Sequence, residues 1–351
     1  MTQTLTNPER VALHQQWWKC ENTQRLALIY TPLPHPYGGL DTDIPVADIA
    51  GRKTANALVE YQVPKDVLVT GYVDYATALI PAMLGAGFEN DRHTTWAIPS
   101  VHSILDVRIP PFDPAQPLFH AYLERVKAIL AGWTWETYLP ANNAYLGPLD
   151  LLAGIIGPEA LAIELYEHPA AVKARALDAA AYLVDMLHYE LAFFRQAGLV
   201  DGTPCAFNYW LPGAGMMFSE DFCALTSRKH YAEFFLEADI AFTQSVDSTL
   251  LHVHSAGFQC LPSILDNPHI HSLELANDID NRDVRKLINA ARLVQSKGLP
   301  VQVSSWEHRL EEWEMDLILA ELDPRGLCVA FQAYSVEEAW RLYEKIKTYP
   351  H

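Results

Sequence analysis

The chain has 351 residues, half of them apolar and 19% charged, the composition of a folded globular protein with an ample core and not of a disordered one. A formal net charge of −18 without any basic cluster argues against nucleic acid as a partner, because its phosphates would be repelled. The longest apolar stretch, Val67 to Phe88, carries Asp74, Pro81 and the glycines Gly71, Gly85 and Gly87, which argues against a membrane span.

In chain order, Asn7 to Cys20 predicts a short amphipathic helix with Asn7 as its cap and Pro8 in its first turn, within an N-terminal helical extension over 1–24. Arg25 to Tyr30 predicts the first strand. Thr31 to Thr42, rich in Pro, Gly, His and Tyr, reads either as a pocket lining or as a rigid turn. Val67 to Tyr72 predicts a strand with Asp74 beyond its C-terminal end, and Ala76 to Leu84 a helix ended by Gly85. Thr94 to Pro99 is an added strand and Pro117 to Ala131 a helix. Glu136 to Leu146 supplies another strand, after which Gly147-Pro148-Leu149-Asp150 opens a helical region. Pro158 to Glu167 and Pro169 to Ala197 have apolar spacing near 3.6. Pro204 to Trp210 reads as a strand, followed by a glycine-rich bend; Ser219 to Cys223 and Arg228 to Thr243 read as helical.

Leu250 to Asp280 is the stretch with chemistry in it. Leu250-Leu251-His252-Val253-His254 alternates, so His252 and His254 share one strand face, with His254 nearer the strand's end. Ser255-Ala256-Gly257 breaks that strand, Pro262 to Leu265 is helical, and Ile270 to Leu275 is the next strand, delivering Glu274 within reach of His254. Two imidazoles and a carboxylate at neighbouring strand ends suit a metal or an acid/base site in a barrel. The same residues also fit a satisfied core histidine beside a solvated strand-end charge. Arg282 to Lys297 is a helix ended by Gly298, Leu299 to Ser304 a strand, Glu307 to Leu322 a helix and Gly326 to Gln332 a last strand. Ser335 caps the final helix, with Glu338 at the capping-box spacing.

Strands and helices alternate about eight times with nothing like a linker, which predicts one α/β domain over 1–351, a single (β/α)8 TIM barrel with its site at the C-terminal strand ends. No glycine fingerprint follows any strand, so no nucleotide cofactor is expected. Tyr37, Asp74, Tyr75, Asn142, Asn208, Tyr209, Trp210, Trp306, Glu307 and His308 are expected around the mouth, where aromatic platforms with polar groups suit a neutral or planar small-molecule substrate. Packing under the loops for Trp210 and Trp306, and a solvated first helical turn for Glu307 and His308, stay open beside that reading. Five scattered cysteines without Cys-x-x-Cys spacing and a polar N-terminus suit reduced thiols in a cytoplasmic protein.

Four segments carry a family resemblance: ATALIPAMLG at Ala76 to Gly85, the Gly147 to Asp150 turn with GIIG and LYEHPAAV after it, MFSEDFCAL, and HSAG with SLELANDID and the late SVEEAW. In this order they resemble the uroporphyrinogen decarboxylase superfamily, which includes zinc-dependent methyltransferases that act on corrinoid proteins. Ala76 stands where the decarboxylase has its essential aspartate, and the arginine-bearing N-terminal segment is replaced by TPLPHPYGG. The resemblance therefore implies a divergent enzyme that acts on a small molecule other than uroporphyrinogen, by methyl transfer or by decarboxylation or another lyase step. It implies His254 and Glu274 as catalytic residues; Asp74, two residues before the lost aspartate, is expected to join them if its strand extends that far. The residues expected at the mouth, Tyr37, Tyr75, Asn208, Tyr209, Trp210, Trp306, Glu307 and His308, are expected to contact the substrate. The family's zinc ligands match at His254 and Glu274, while its two thiol positions fall on Ala256 and around Ala330 to Gln332. Two arrangements remain: zinc on His252, His254 and Glu274, or a metal-free acid/base site. No cobalamin-binding Asp-x-His-x-x-Gly occurs, so a corrinoid would ride on a separate protein; a homodimer is what the family suggests. A metal-free hydrolase of a sugar-like substrate using Asp74, Glu274 and Glu307, and a degenerate barrel used for binding, are the other two function classes.

Overall fold

The first strand, β1 (Leu26–Tyr30), alternates its side chains between two cores, and twelve more strands follow among the described residues. They are β2 (Thr70–Gly71), β3 (Gly87–Asn90), β4 (Thr95–Ile98), β5 (Leu139–Pro140), β6 (Tyr145–Leu146), β7 (Gly202–Cys205), β8 (Tyr209–Pro212), β9 (Gly215–Ser219), β10 (Ser248–His254), β11 (Ser272–Ala276), β12 (Val301–Ser304) and β13 (Leu327–Gln332). The structure, a computed structural model, describes residues 5–31, 41, 44–75, 77–90, 95–305 and 308–350. Tyr37, Ala76, Trp306 and Glu307, with most of the loop from Thr31 to Thr42, lie outside the described residues.

Seven strands form one parallel sheet in the order β1-β13-β12-β11-β10-β9-β6, and β2 pairs in parallel with β5. Parallel neighbours need crossovers, and helices supply them, among them Val46–Glu60, Pro117–Gly132, Pro169–Gln196, Val284–Gln295, Glu312–Glu321 and Val336–Thr348. Outward residues such as Ile29, Leu251, Val253, Leu273, Leu275, Val303 and Phe331 pack against these helices in the large core. Inward residues, Leu26, Leu28, Met217, Leu250, Cys328 and Ala330, form a separate core with Trp17 and Tyr209. This is a barrel-like arrangement, and among the described residues the expected closed ring of eight is not reached. Between β1 and the β2 segment the described residues make no ladder; the Asp66 amide donates to the Ala27 carbonyl at 2.8 Å and the Asp66 carboxylate accepts from the Ala27 amide at 2.8 Å.

Other expectations shift for local reasons. Thr6, not Asn7, caps the first helix (Asn7–Trp18), in a capping box with Glu9. Asn7 is buried instead, its Oδ1 accepting from the Val69 amide at 3.2 Å, and Trp17 brings the helix onto Leu26, Val67 and Leu250 at the N-terminal ends of the strands. The predicted Pro204–Trp210 strand is an antiparallel hairpin, β7 with β8. The glycine-rich bend and the start of the expected Ser219 helix are β9, a strand of the parallel sheet, entered through Gly213 at φ +64°. The predicted added strand is β4 (Thr95–Ile98), paired with β3.

A buried acidic cluster lies behind the sheet, where the Glu220 and Asp239 carboxyls interact and the Tyr231 hydroxyl donates to Asp239. Burial holds the Asp239 carboxyl up at about 6 and raises Glu220 well above the usual carboxylate range. A carboxyl raised in the folded state contributes its full stability below its unfolded value and loses it as pH rises through the folded one. Melting temperature is therefore expected to fall as pH rises from 5 to 8 across the Asp239 value (about 6). Asp239→Asn is expected to flatten that fall, worth on the order of 2 kcal/mol, and thermal melts of both proteins over this range check it.

Candidate active site

Register sets one ring of polar groups inside the barrel. Ser219, His252, Glu274, Gln302 and Cys328 are successive cross-strand partners on β9 to β13, so their side chains share one inward level. His254 stands one step nearer the C-terminal ends. The His252 Nδ1 hydrogen-bonds Glu274, which is fully buried, while Gln302 donates to Glu274 Oε1 at 3.5 Å and the Tyr209 hydroxyl donates to Gln302. Glu274 thus lies behind His252 and not beside His254, because the parallel register pairs His254 with Ala276. The acid that serves His254 is Asp278, whose Oδ1 stands 2.6 Å from His254 Nδ1. Asp278 Oδ2 accepts from the Ser255 amide and hydroxyl, each at 2.7 Å.

With both Nδ1 atoms taken up, the two Nε2 atoms face each other at 3.1 Å. Asp221 Oδ1 stands 3.8 Å from His254 Nε2. Burial pushes both imidazoles toward the neutral form, yet Glu274 outweighs it at His252, and Asp278 with Asp221 outweighs it at His254, raising that ring to about 9. Burial likewise works against the charged form of Asp278, and the His254 and Ser255 hydrogen bonds overcome it, holding the carboxyl at about 2. The site is a negative well that retains positive charge.

Asp221 owes its place to an exchange of caps. Asp150 accepts from the Asp221 and Phe222 amides at 2.7 Å each, while Glu220 accepts from the Leu149 and Asp150 amides at 3.3 Å each. Gly147 makes the exchange fit, since a Cβ there would fall on the Glu220 carboxylate. Phe207, at φ +68° and followed by Asn208 at the same value, lays its ring 5.5 Å from that of His252. A bulky residue in that region costs about 1–2 kcal/mol. The turn is held by the Leu68 amide, which donates to the Asn208 carbonyl at 2.9 Å, and by the Thr70 hydroxyl, which donates to Asn208 Oδ1 at 2.7 Å.

No protein-family model matches this chain, and no curated protein matches it in sequence. Among solved structures it is similar to a methyltransferase from Methanosarcina mazei, at a TM-score of 0.67 and 12% identity over 97% of this chain and 98% of that one. The two share a fold along their whole length.

The remaining expected site residues divide. Asp74 and Asn208 line a cavity of about 350 Å³ with Tyr30, Thr70, Tyr72 and Arg52, at the seam between β1 and β2; His254 and Glu274 are not among its walls. Asp74 and Asn208 therefore share one cavity, while His254, at the strand ends, and Glu274, on the polar ring, lie apart from it. Tyr75 is buried edge-on against Tyr122, and Asn142 is buried, bridging to Cys205. Tyr209 is buried beneath the polar ring. Trp210 fills a small cluster with Leu68 and Leu139, so packing is its role here. His308 lines a different cavity, of about 840 Å³, with Glu311, Gln332 and Lys345. Asp221, Asp278 and Phe207 were missing from the sequence reading. An acid just past a strand end is the signal for Asp221 and Asp278, usable only once the strand ends are known.

The cap exchange predicts a local sensitivity. Gly147→Ala is expected to cost about 1–3 kcal/mol through overpacking. Gly51→Ala, at a helical position with nothing near the added methyl, is expected to be neutral or stabilising by up to about 1 kcal/mol. Urea unfolding of both variants measures the contrast.

Proposed function

We propose that this chain is a methyl-transfer enzyme acting on a small-molecule acceptor at the C-terminal end of its barrel. The observation that carries the reading is the His252–His254 pair, each ring braced by its own carboxylate, at strand ends of a fold shared over its full length with a methyltransferase. Barrel enzymes work at that end, and a braced imidazole pair opening to solvent at His254 suits orienting the acceptor, whose proton passes to water as its atom bonds the methyl carbon and the donor leaves with its electron pair. In this reading the donor is a corrinoid carried by a separate protein. The cavity walled by Asp74 and Asn208 is proposed to seat part of the substrate.

The zinc set that the family resemblance implies does not fit. Ala256 offers no ligand atom, and Glu274 sits on His252 Nδ1, behind the ring. Cys328 is wholly buried on the level of Glu274 but two strands away from it, and Cys260 points at the Cys223 carbonyl, 3.7 Å away. No step is routed through zinc on those residues.

The test is anaerobic incubation with free methylcobalamin and a small thiol acceptor, followed by the loss of the methylcobalamin absorption. Protein-dependent consumption is expected, with His254→Ala and Glu274→Gln each lowering it by at least about a hundredfold while circular dichroism stays unchanged. Consumption at the wild-type rate in His254→Ala would remove this site from the reaction.

A further inference from the structure

The geometry points to a three-ligand nitrogen/oxygen metal centre on Asp221 Oδ1, His252 Nε2 and His254 Nε2, built for a divalent first-row transition ion. The inference rests on the same histidine pair as the proposed function, but not on methyl transfer being the reaction.

The three atoms lie within 4.8 Å of one another, and they are the one such group of His, Cys, Asp or Glu ligands among the described residues. Two nitrogens each about 2.0–2.1 Å from one ion stand about 2.9–3.4 Å apart, for angles between a right angle and the tetrahedral one. The observed Nε2 separation is 3.1 Å. Asp221 Oδ1, at 3.8 Å from His254 Nε2, is shielded from solvent and accepts no hydrogen bond, although the side chain as a whole is 44% exposed. That oxygen lies within 4.8 Å of both imidazole Nε2 atoms, which, with no hydrogen bond to accept, leaves it available as a third ligand atom.

What lies behind the ligands strengthens the assignment. Metal-binding histidines present one nitrogen to the ion and tie the other to a carboxylate or carbonyl, which fixes tautomer and ring orientation. Both rings do this, His252 through Glu274 and His254 through Asp278. The Ser255 donors and the Asp150 clamp fix the second layer in turn. The donor set selects the ion class. Two imidazoles disfavour calcium and magnesium, and the lack of a thiolate disfavours copper(I). Three protein ligands leave positions open for water or substrate, as in a catalytic centre and unlike a closed structural one.

Cobalt(II) titration of chelator-treated protein tests the centre by its visible absorption, with zinc competition as the second reading. One equivalent of cobalt is expected to give ligand-field bands that zinc abolishes. Asp221→Ala and His254→Ala are expected to weaken binding at least tenfold, Asp278→Asn about ten- to a hundredfold, and Cys260→Ser not at all. Asp221 is partly exposed, so its variant keeps the assignment testable where a histidine variant fails to fold. Featureless spectra, or cobalt binding unchanged in Asp221→Ala, would overturn the centre. Cobalt binding with this ligand dependence but no methylcobalamin consumption would sink the functional reading alone; consumption without cobalt binding would sink the centre alone.

Discussion

The hydrogen bond from His252 to Glu274 is the contact on which the interior of this protein depends. Glu274 is wholly buried, and a carboxylate taken out of water is costly unless it is paired and hydrogen-bonded. His252 and Gln302 meet that demand because parallel register sets all three on one level. A slip of one residue would turn His252 and His254 outward into the helices and bring Leu251 and Val253 inside. Register therefore decides both which side chains face the interior and which carboxylate serves which histidine.

Above that level the site is assembled from loops that are tied down. The Asp150–Glu220 exchange joins the start of one helix to the turn after β9, and Asp278 joins the loop after β11 to the turn that begins at Ser255. The hairpin of β7 and β8 reaches inward, with Tyr209 under the polar ring and the Phe207 ring against His252. Fixing the surroundings in this way holds imidazole rings in one orientation, which a proton-transfer or ligand geometry needs. The seam between β1 and β2, where ladder bonds are missing among the described residues, is also where the cavity opens. The lack of pairing and the room for a ligand are two aspects of one feature.

Much of this was legible in the chain itself. The period of two from Leu250 to His254 put both histidines on one face, and the alternation of strands with helices gave the architecture apart from its open seam. The partner of each histidine was not legible, since pairing across strands is set by tertiary register and both Glu274 and Asp278 follow in sequence. Asp221 was hidden because Gly215 to Ser219 is buried throughout and shows no alternation, so the strand that ends just before it reads as a bend. For Trp210 the chain left a mouth position and packing both open, and the antiparallel hairpin decides for packing by turning it into a cluster with Leu68 and Leu139.

The central claim is that His252 and His254 turn their Nε2 atoms toward one point shared with Asp221, with Glu274 held behind. Anomalous diffraction at the zinc edge from zinc-soaked crystals tests it most directly. The account predicts one strong peak within about 2.1 Å of both Nε2 atoms, with an Asp221 oxygen drawn onto it and Glu274 still on His252 Nδ1. A peak ligated by Glu274, or rings whose Nε2 atoms point apart, would contradict it.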